Sequence, residues 1–369
     1  MIEQFWRVRM ASYSESSLSP TPIVEPENQL ATSINSPSQA ARPSWAKQLF
    51  VSCARTLHDL PMVFPALVRA FRGIQKMGVN VTPNHYYWPV PDLAELEKRE
   101  WPIYSTPPGC QFDLKKQAEL AREFSSKYGR EYSFSTDPHE SSYHYNNGYF
   151  EAVDAEMAYF MVRHFKPARI VEIGTGYSTR VLATALQQNS ERDALPGQLI
   201  SIDPNPERFL KNGWRSFVVQ IPRVIQEVEL EFFDTLQSGD VLFIDSSHVV
   251  SVGSDVLREY LQILPRLKPG VLVHIHDIFL PSDYPRDAVL NNLWFWSEQY
   301  LLQAFLSFNS QFEVLWASSA MQIQYPWVLE QCFPRWRNSY RNMPVSRRRF
   351  VPTADQDRVW PSSFWMQRR

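Results

Sequence analysis

A chain of 369 residues, 44% hydrophobic and 21% charged, can bury a sizeable core in one elaborated domain or two average ones. Its formal charge of −2 offers no general attraction for nucleic acid or an anionic membrane, and neither is expected as a partner. Cys53, Cys110 and Cys332 are too scattered for a disulfide frame or zinc knuckle, and no apolar run reaches the ~18–20 residues that span a bilayer. Met1–Met10 mixes polar, charged and aromatic residues without an apolar signal region, so a cytoplasmic location is expected.

Residues 1–43 read as a disordered tail, because Ala11–Pro43 is rich in Ser, Pro, Asn and Gln and too poor in large apolar residues to repay its ordering entropy. Residues 44–129 read as a helical and aromatic-loop extension. Ala46–Ile74 carries Leu49, Leu57, Leu60, Leu67 and Phe71 at helical spacings, broken or kinked by Pro61 and Pro65. Such a helix covers a core or a homodimer face; a membrane surface is the other use. Asn84–Asp92, with His85, Tyr86, Tyr87 and Trp88, has no regular period. Lys115–Tyr128 is amphipathic, His139–Phe150 is a polar-aromatic loop, and Val153–His164 is a helix leading into the first strand.

Arg169–Tyr177 is the most informative stretch. Ile170, Val171 and Ile173 form a buried β-branched strand, then Gly174 and Gly176 turn the backbone sharply, and Ser178–Ala183 opens a helix. Strand, Gly-x-Gly turn and helix make a nucleotide pocket at the edge of a doubly wound α/β sheet. The pattern of apolar strand ending in an acid then recurs: Leu199–Ile202 before Asp203, Val241–Ile244 before Asp245, and Val271–His276 before Asp277. Such strands, separated by helical patterns, argue a parallel sheet whose carboxyl ends share one crevice. Each Asp alone is also explained as a cap of the next turn.

With Glu172 inside the turn and Phe243-Ile244-Asp245 followed by His248, residues 150–320 resemble class I S-adenosylmethionine-dependent methyltransferases, closest to small-molecule O-methyltransferases. The resemblance implies a seven-stranded, mostly parallel, Rossmann-like sheet over residues 130–330. It implies S-adenosylmethionine at Glu172, Gly174, Gly176 and Ser178, with Asp203 gripping the ribose hydroxyls. It also suggests that Asn84–Asp92 helps form an acceptor pocket and that Tyr145, Asn146 and Asn147 act as a lid. A nicotinamide dinucleotide is the rival cofactor. That site wants a third small residue where Thr179 stands, and Glu172 would repel its diphosphate. A descendant of the fold that binds cofactor without catalysis is a further alternative.

Methyl transfer needs an acceptor nucleophile in line with the sulfonium, and a hydroxyl needs a base or a metal to become one. Asp245, His248, His276 and Asp277 are the candidate catalytic residues, all just past strand ends, while His274 reads as a core histidine. Metal-dependent relatives place an Asp-Asn pair after the fifth strand, but Ile278 stands in the Asn position. The missing oxygen ligand speaks against magnesium, although His248, His276 or water could complete a site for a softer divalent metal, and an imidazole base is the favoured reading. The expected acceptor is a small hydroxylated molecule, a sugar or phenolic natural product. Phe312–Trp316 is read as a late antiparallel strand, and residues 331–369, with many Arg and Trp, as a solvated basic-aromatic tail.

Overall fold

The computed structural model describes residues 63–82, 89–101, 106–138, 142–206, 210, 215–348, 353 and 357–369. The expected tail at 1–43, Cys53 and the His85 segment from Asn84 to Trp88 lie outside these residues. The chain divides into two units, Met1–Val81 and Thr82–Arg369. In the first, the described residues form helix α1 (Val63–Gln75), which begins just after Pro61 and holds Pro65 in its first turn. There the missing N–H has no intrahelical partner to lose.

The second unit opens with α2 (Leu93–Lys98), whose N-cap Asp92 accepts the N–H groups of Ala94 and Glu95. Helix α3 (Leu114–Tyr128) buries Gln117, Ala118, Ala121, Phe124 and Tyr128, one face at i, i+3, i+4 spacing. Helix α4 (Asp154–Phe165) is buried on nearly every side. Strand β1 (Arg169–Ile173) runs through the glycine turn into α5 (Tyr177–Asp193). Then come β2 (Gln198–Ile202), β3 (Val218–Ile221), α6 (Leu230–Phe233), β4 (Val241–Ile244) and α7 (Asp255–Arg258). Strand β5 (Leu272–Ile275), helices α8 (Arg286–Asn292) and α9 (Glu298–Leu306), strand β6 (Phe312–Ala317), α10 (Ser318–Gln324), α11 (Pro326–Cys332), the short α12 (Ser339–Asn342) and α13 (Val345–Arg348), and β7 (Phe364–Arg368) follow.

The sheet has seven strands in the order β3-β2-β1-β4-β5-β7-β6. β1 to β5 pair in parallel, and β7 runs antiparallel to both β5 and β6. Strand alternation separates two cores. Ile170, Leu199, Val241, Leu272 and Trp365 join the layer holding α3, α4 and α5. Val171, Ile200, Leu242, Val273, Phe364 and Met366 join the layer holding Tyr260, Ile263 and Leu302. Burial on both faces is why the strands read as continuous apolar runs.

Three expectations are corrected. The antiparallel strand is β7; β6 runs in the same sense as β5 and is antiparallel only to β7. The segment expected to be a solvated tail supplies that strand, with Phe364, Trp365 and Met366 fully buried, and Trp336 is buried too. Its arginines lie over aromatic faces, as Arg358 does over Trp336 at 5.0 Å, so a basic composition coexists with a packed segment. Helix α3, assigned to an extension, belongs to the main core: Gln117 Oε1 accepts the Ala317 N–H at the end of β6 (2.9 Å).

Candidate active site

Gly174 adopts φ +93°, and a Cβ there would meet the Asp245 carbonyl oxygen at 2.0 Å, so only glycine lets β1 pass so close to β4. A Cβ on Gly176 would meet nothing nearer than 3.9 Å, which leaves an open cradle over the turn. At the end of β2, Asp203 is half-buried and accepts the Thr175 N–H through Oδ2 (3.0 Å), which fixes its carboxylate beside the same turn.

Glu172 and Ser178 do not share that opening. Glu172 is 0% exposed and Ser178 1%, so neither offers surface to a ligand. The Glu172 carboxylate accepts hydroxyl bonds from Ser178 (2.8 Å), Thr179 (2.7 Å) and Ser201 (3.0 Å). Burial pushes its pKa up to about 8 although these three bonds pull the other way. The acid inside the motif thus ties the turn together from beneath. Thr179, where a dinucleotide site wants a small residue, is one of those ties.

The expected cluster forms. Asp245 and His248 follow β4, His276 and Asp277 follow β5, and all four line a cavity of about 530 Å³. His248 Nε2 lies 3.4 Å from Asp245 Oδ1 and 3.5 Å from Asp277 Oδ2. His276 Nδ1 lies 3.6 Å from Asp245 and 3.7 Å from Asp277. Burial works against charge on both imidazoles, but the surrounding carboxylates outweigh it and raise both pKa values well above the ordinary one. The same imidazoles overcome burial at Asp245 and hold its carboxyl far below the usual range. His248 (φ +61°) and Asp277 (φ +57°) sit in the left-handed region, a cost of roughly 1–3 kcal/mol each that persists only where surroundings impose it.

His274 is a core histidine as expected. It is 0% exposed, stacks on Phe243 at 3.8 Å and bonds Ser363 Oγ through Nε2 (2.9 Å), and burial lowers its pKa.

The site also holds residues that the motifs did not announce. Glu298 Oε2 lies 2.8 Å from His248 Nδ1. Asp154, at the start of α4, accepts the N–H groups of Ser362 and Ser363 and stands 3.7 Å from His276 Nε2. Ser362 donates to Asp277 Oδ1 (3.0 Å), so the strand entering β7 closes the cavity. Trp294, Trp296 and Trp360 supply aromatic walls. The expected lid is different in detail. Tyr145 is buried and donates to Glu156 (2.9 Å), and Asn147 is buried in bonds to His144 and Phe150. Gly148 and Tyr149, next in sequence, are the described residues of this loop that reach the cavity.

A cation fits the cluster. One ligand atom each of Asp245, His248 and Asp277 lie within 4.8 Å of one another. Two carboxylates and one imidazole suit a borderline first-row ion better than magnesium, which prefers an all-oxygen shell.

Known proteins share parts of this chain. A family model described as a methyltransferase domain matches residues 171–278. An uncharacterised protein of Archaeoglobus fulgidus is 31% identical over 183 residues, covering 46% of this chain and 80% of its own. Among solved structures, mitomycin 7-O-methyltransferase MmcR is 18% identical with a TM-score of 0.31, covering 59% of this chain and 54% of MmcR. The structure of cmcI with magnesium and S-adenosylmethionine is 15% identical with a TM-score of 0.30, covering 45% of this chain and 66% of that one. The chain thus spans less than two-thirds of either solved protein. It belongs to the class I S-adenosylmethionine-dependent methyltransferases, one family with the Archaeoglobus protein.

Proposed function

We propose that this chain methylates an oxygen of a small hydroxylated acceptor, a sugar or phenol, seated in the 530 Å³ cavity. The observation that carries this reading is the convergence of Asp245, His248, His276 and Asp277 on one cavity beside the Gly174–Gly176 turn. When bound, S-adenosylmethionine supplies an electrophilic methyl group. The open space at Gly176 lets it lie close to the turn, and Asp203, beside that turn, would accept its ribose hydroxyls in charge-assisted bonds. His248 or His276 takes the acceptor's proton as the oxygen attacks, and the neighbouring carboxylates stabilise the resulting imidazolium. Because those carboxylates raise both imidazole pKa values, the base form grows as pH rises above neutrality.

None of the described residues lining the cavity is Lys or Arg, which supports an acceptor without phosphate and argues against nucleic acid. A second reading rests on the Asp245–His248–Asp277 set, which would hold a divalent ion able to lower the pKa of an acceptor hydroxyl. Radiolabelled methyl transfer into extracts, fractionated by size and nuclease sensitivity, tests the function. Label in small molecules is expected. Label in RNA or DNA, or none at all, would overturn it.

A further inference from the structure

His248 is held by more than its own loop. Its carbonyl oxygen accepts the N–H groups of Ser297 (2.9 Å) and Glu298 (3.1 Å), the first residues of α9 and its cap. Its Nδ1 meets Glu298 Oε2 at 2.8 Å, and its ring lies 4.7 Å from that of Trp296. Four contacts from one short stretch therefore impose the left-handed backbone at His248 and the direction of its ring.

Behind this contact lies a second acid. Glu259 begins a single π-helical turn, Glu259–Ile263, and its Oε2 accepts the Ser246 hydroxyl (3.1 Å). Glu259 and Glu298 are each 0% exposed, and Oε1 of both, with the Tyr260 hydroxyl, has no hydrogen-bond partner among the described residues. A lone π turn inside a helix re-aims one residue, and such turns concentrate at functional sites. Here the re-aimed residue reaches Ser246. One buried acid thus grips the Asp245–His248 loop near its start and the other at its end.

We infer that Glu298 and Glu259 are positioning residues which together present His248 Nε2 and the Asp245 carboxylate to the acceptor. Neither touches the cavity, so both act through the loop. Once the ring is neutral, a carboxylate at Nδ1 keeps the proton on that nitrogen and leaves the Nε2 lone pair toward Asp245 and Asp277, the orientation that either a base or a metal ligand needs. The charged groups facing His248 are Asp245 and Asp277 on the cavity side and Glu298 behind. Glu259 stands on the other side of the loop, where its Oε2 accepts the Ser246 hydroxyl.

The inference deepens the proposed methyl transfer and rests on it for its kinetic arm only. In the full-length chain, Glu298→Gln keeps the side-chain volume and removes the charge. Its expected effect is a fall in kcat of roughly 10–100-fold, as for other partners that orient a functional imidazole, with the KM for S-adenosylmethionine within about twofold. Glu298→Asp is expected to recover part of that loss. The ¹⁵N spectrum of histidine-labelled protein, with the His248 signal assigned by its loss in His248→Gln, reads the positioning without any acceptor. Nδ1 should carry the proton in the wild type and lose that preference in Glu298→Gln, or in Glu298→Asp where the former does not fold. With the spectrum taken at a pH where the ring is neutral, a His248 signal with the proton on Nε2 in the wild type, or one unmoved by the substitution, overturns the inference whether or not an acceptor has been found. A wild type without methyl transfer but with the expected spectrum overturns the proposed function alone.

Discussion

At the residue scale, the acids of this chain divide by what surrounds them. Asp203 is half-buried beside the open turn, whereas Glu172, only a few residues before that turn ends, is sealed beneath it by three hydroxyls. Only Asp203 can therefore meet a ligand. Charge-assisted hydrogen bonds contribute ~1.5–3 kcal/mol each, so Asp203→Ala should weaken S-adenosylmethionine binding by roughly 10–100-fold in calorimetry. Asp203→Asn keeps an acceptor for the Thr175 N–H and should separate loss of charge from loss of the turn. Unchanged affinity in both variants would remove Asp203 from the cofactor site. For the imidazoles, His276→Ala should lower turnover by about 10²–10⁴-fold, the usual weight of a general base, while cofactor affinity stays near wild type. A proportionate loss of affinity would mark His276 as structural instead.

At the element scale, β7 couples the stability of the sheet to the shape of the site. It lies between β5 and β6, and the residues leading into it bond both Asp154 and Asp277. Trp365, 0% exposed, packs against Phe243 and His274. Truncating a buried aromatic of this size costs ~3–5 kcal/mol, so Trp365→Ala should shift the denaturant midpoint well down. It should also weaken turnover in the protein that remains folded, because Ser362 loses its support. A midpoint within experimental error of wild type would show that β7 is dispensable. The strand is partly legible in the sequence, since Phe364, Trp365 and Met366 form the continuous apolar run of a strand buried on both faces. The surrounding arginines masked it, because composition does not record that guanidinium groups can lie on aromatic faces. The short edge strand β3 was not read at all: Val218–Ile221 is half-exposed and carries no terminal acid.

At the scale of the whole molecule, burial of acids makes stability depend on pH. Burial raises the pKa of Glu151 and Glu156 to about 7 and of Glu172 to about 8, against 4.5 in the unfolded chain. From pH 4.5 up to those values the folded state holds protons that the unfolded state has lost, so stability falls as pH rises. His274, held neutral in the core, works in the opposite sense below about 6.5, the ordinary histidine value, and is silent above it. Tm should therefore drop between pH 6.5 and 8.5, and Glu172→Gln should flatten part of the slope. A Tm that rises across this window would contradict the assignment. The cluster at the strand ends admits a separate test. Adding manganese or zinc to protein treated with a chelator should raise Tm in the wild type and leave Asp245→Asn unmoved. No shift in the wild type would dispose of the cation seat and leave the imidazole base.

What the sequence determined by itself is the part of this protein written in local chemistry. A β-branched strand entering a Gly-x-Gly turn, and an acid after the strands at 199–202, 241–244 and 272–275, are short-range patterns, and they bring these residues to one edge of the sheet because parallel strands all end on the same side. Asp203, Asp245, His248, His276 and Asp277 were readable for that reason. Only the tertiary structure decided which groups stand behind them. Glu298 lies 50 residues from His248, and Asp154 lies 208 residues from Ser362. No periodicity links positions so far apart; packing across the sheet does. The same packing decided that Glu172 is sealed and Asp203 open, since burial depends on what lies over a side chain and not on the side chain itself.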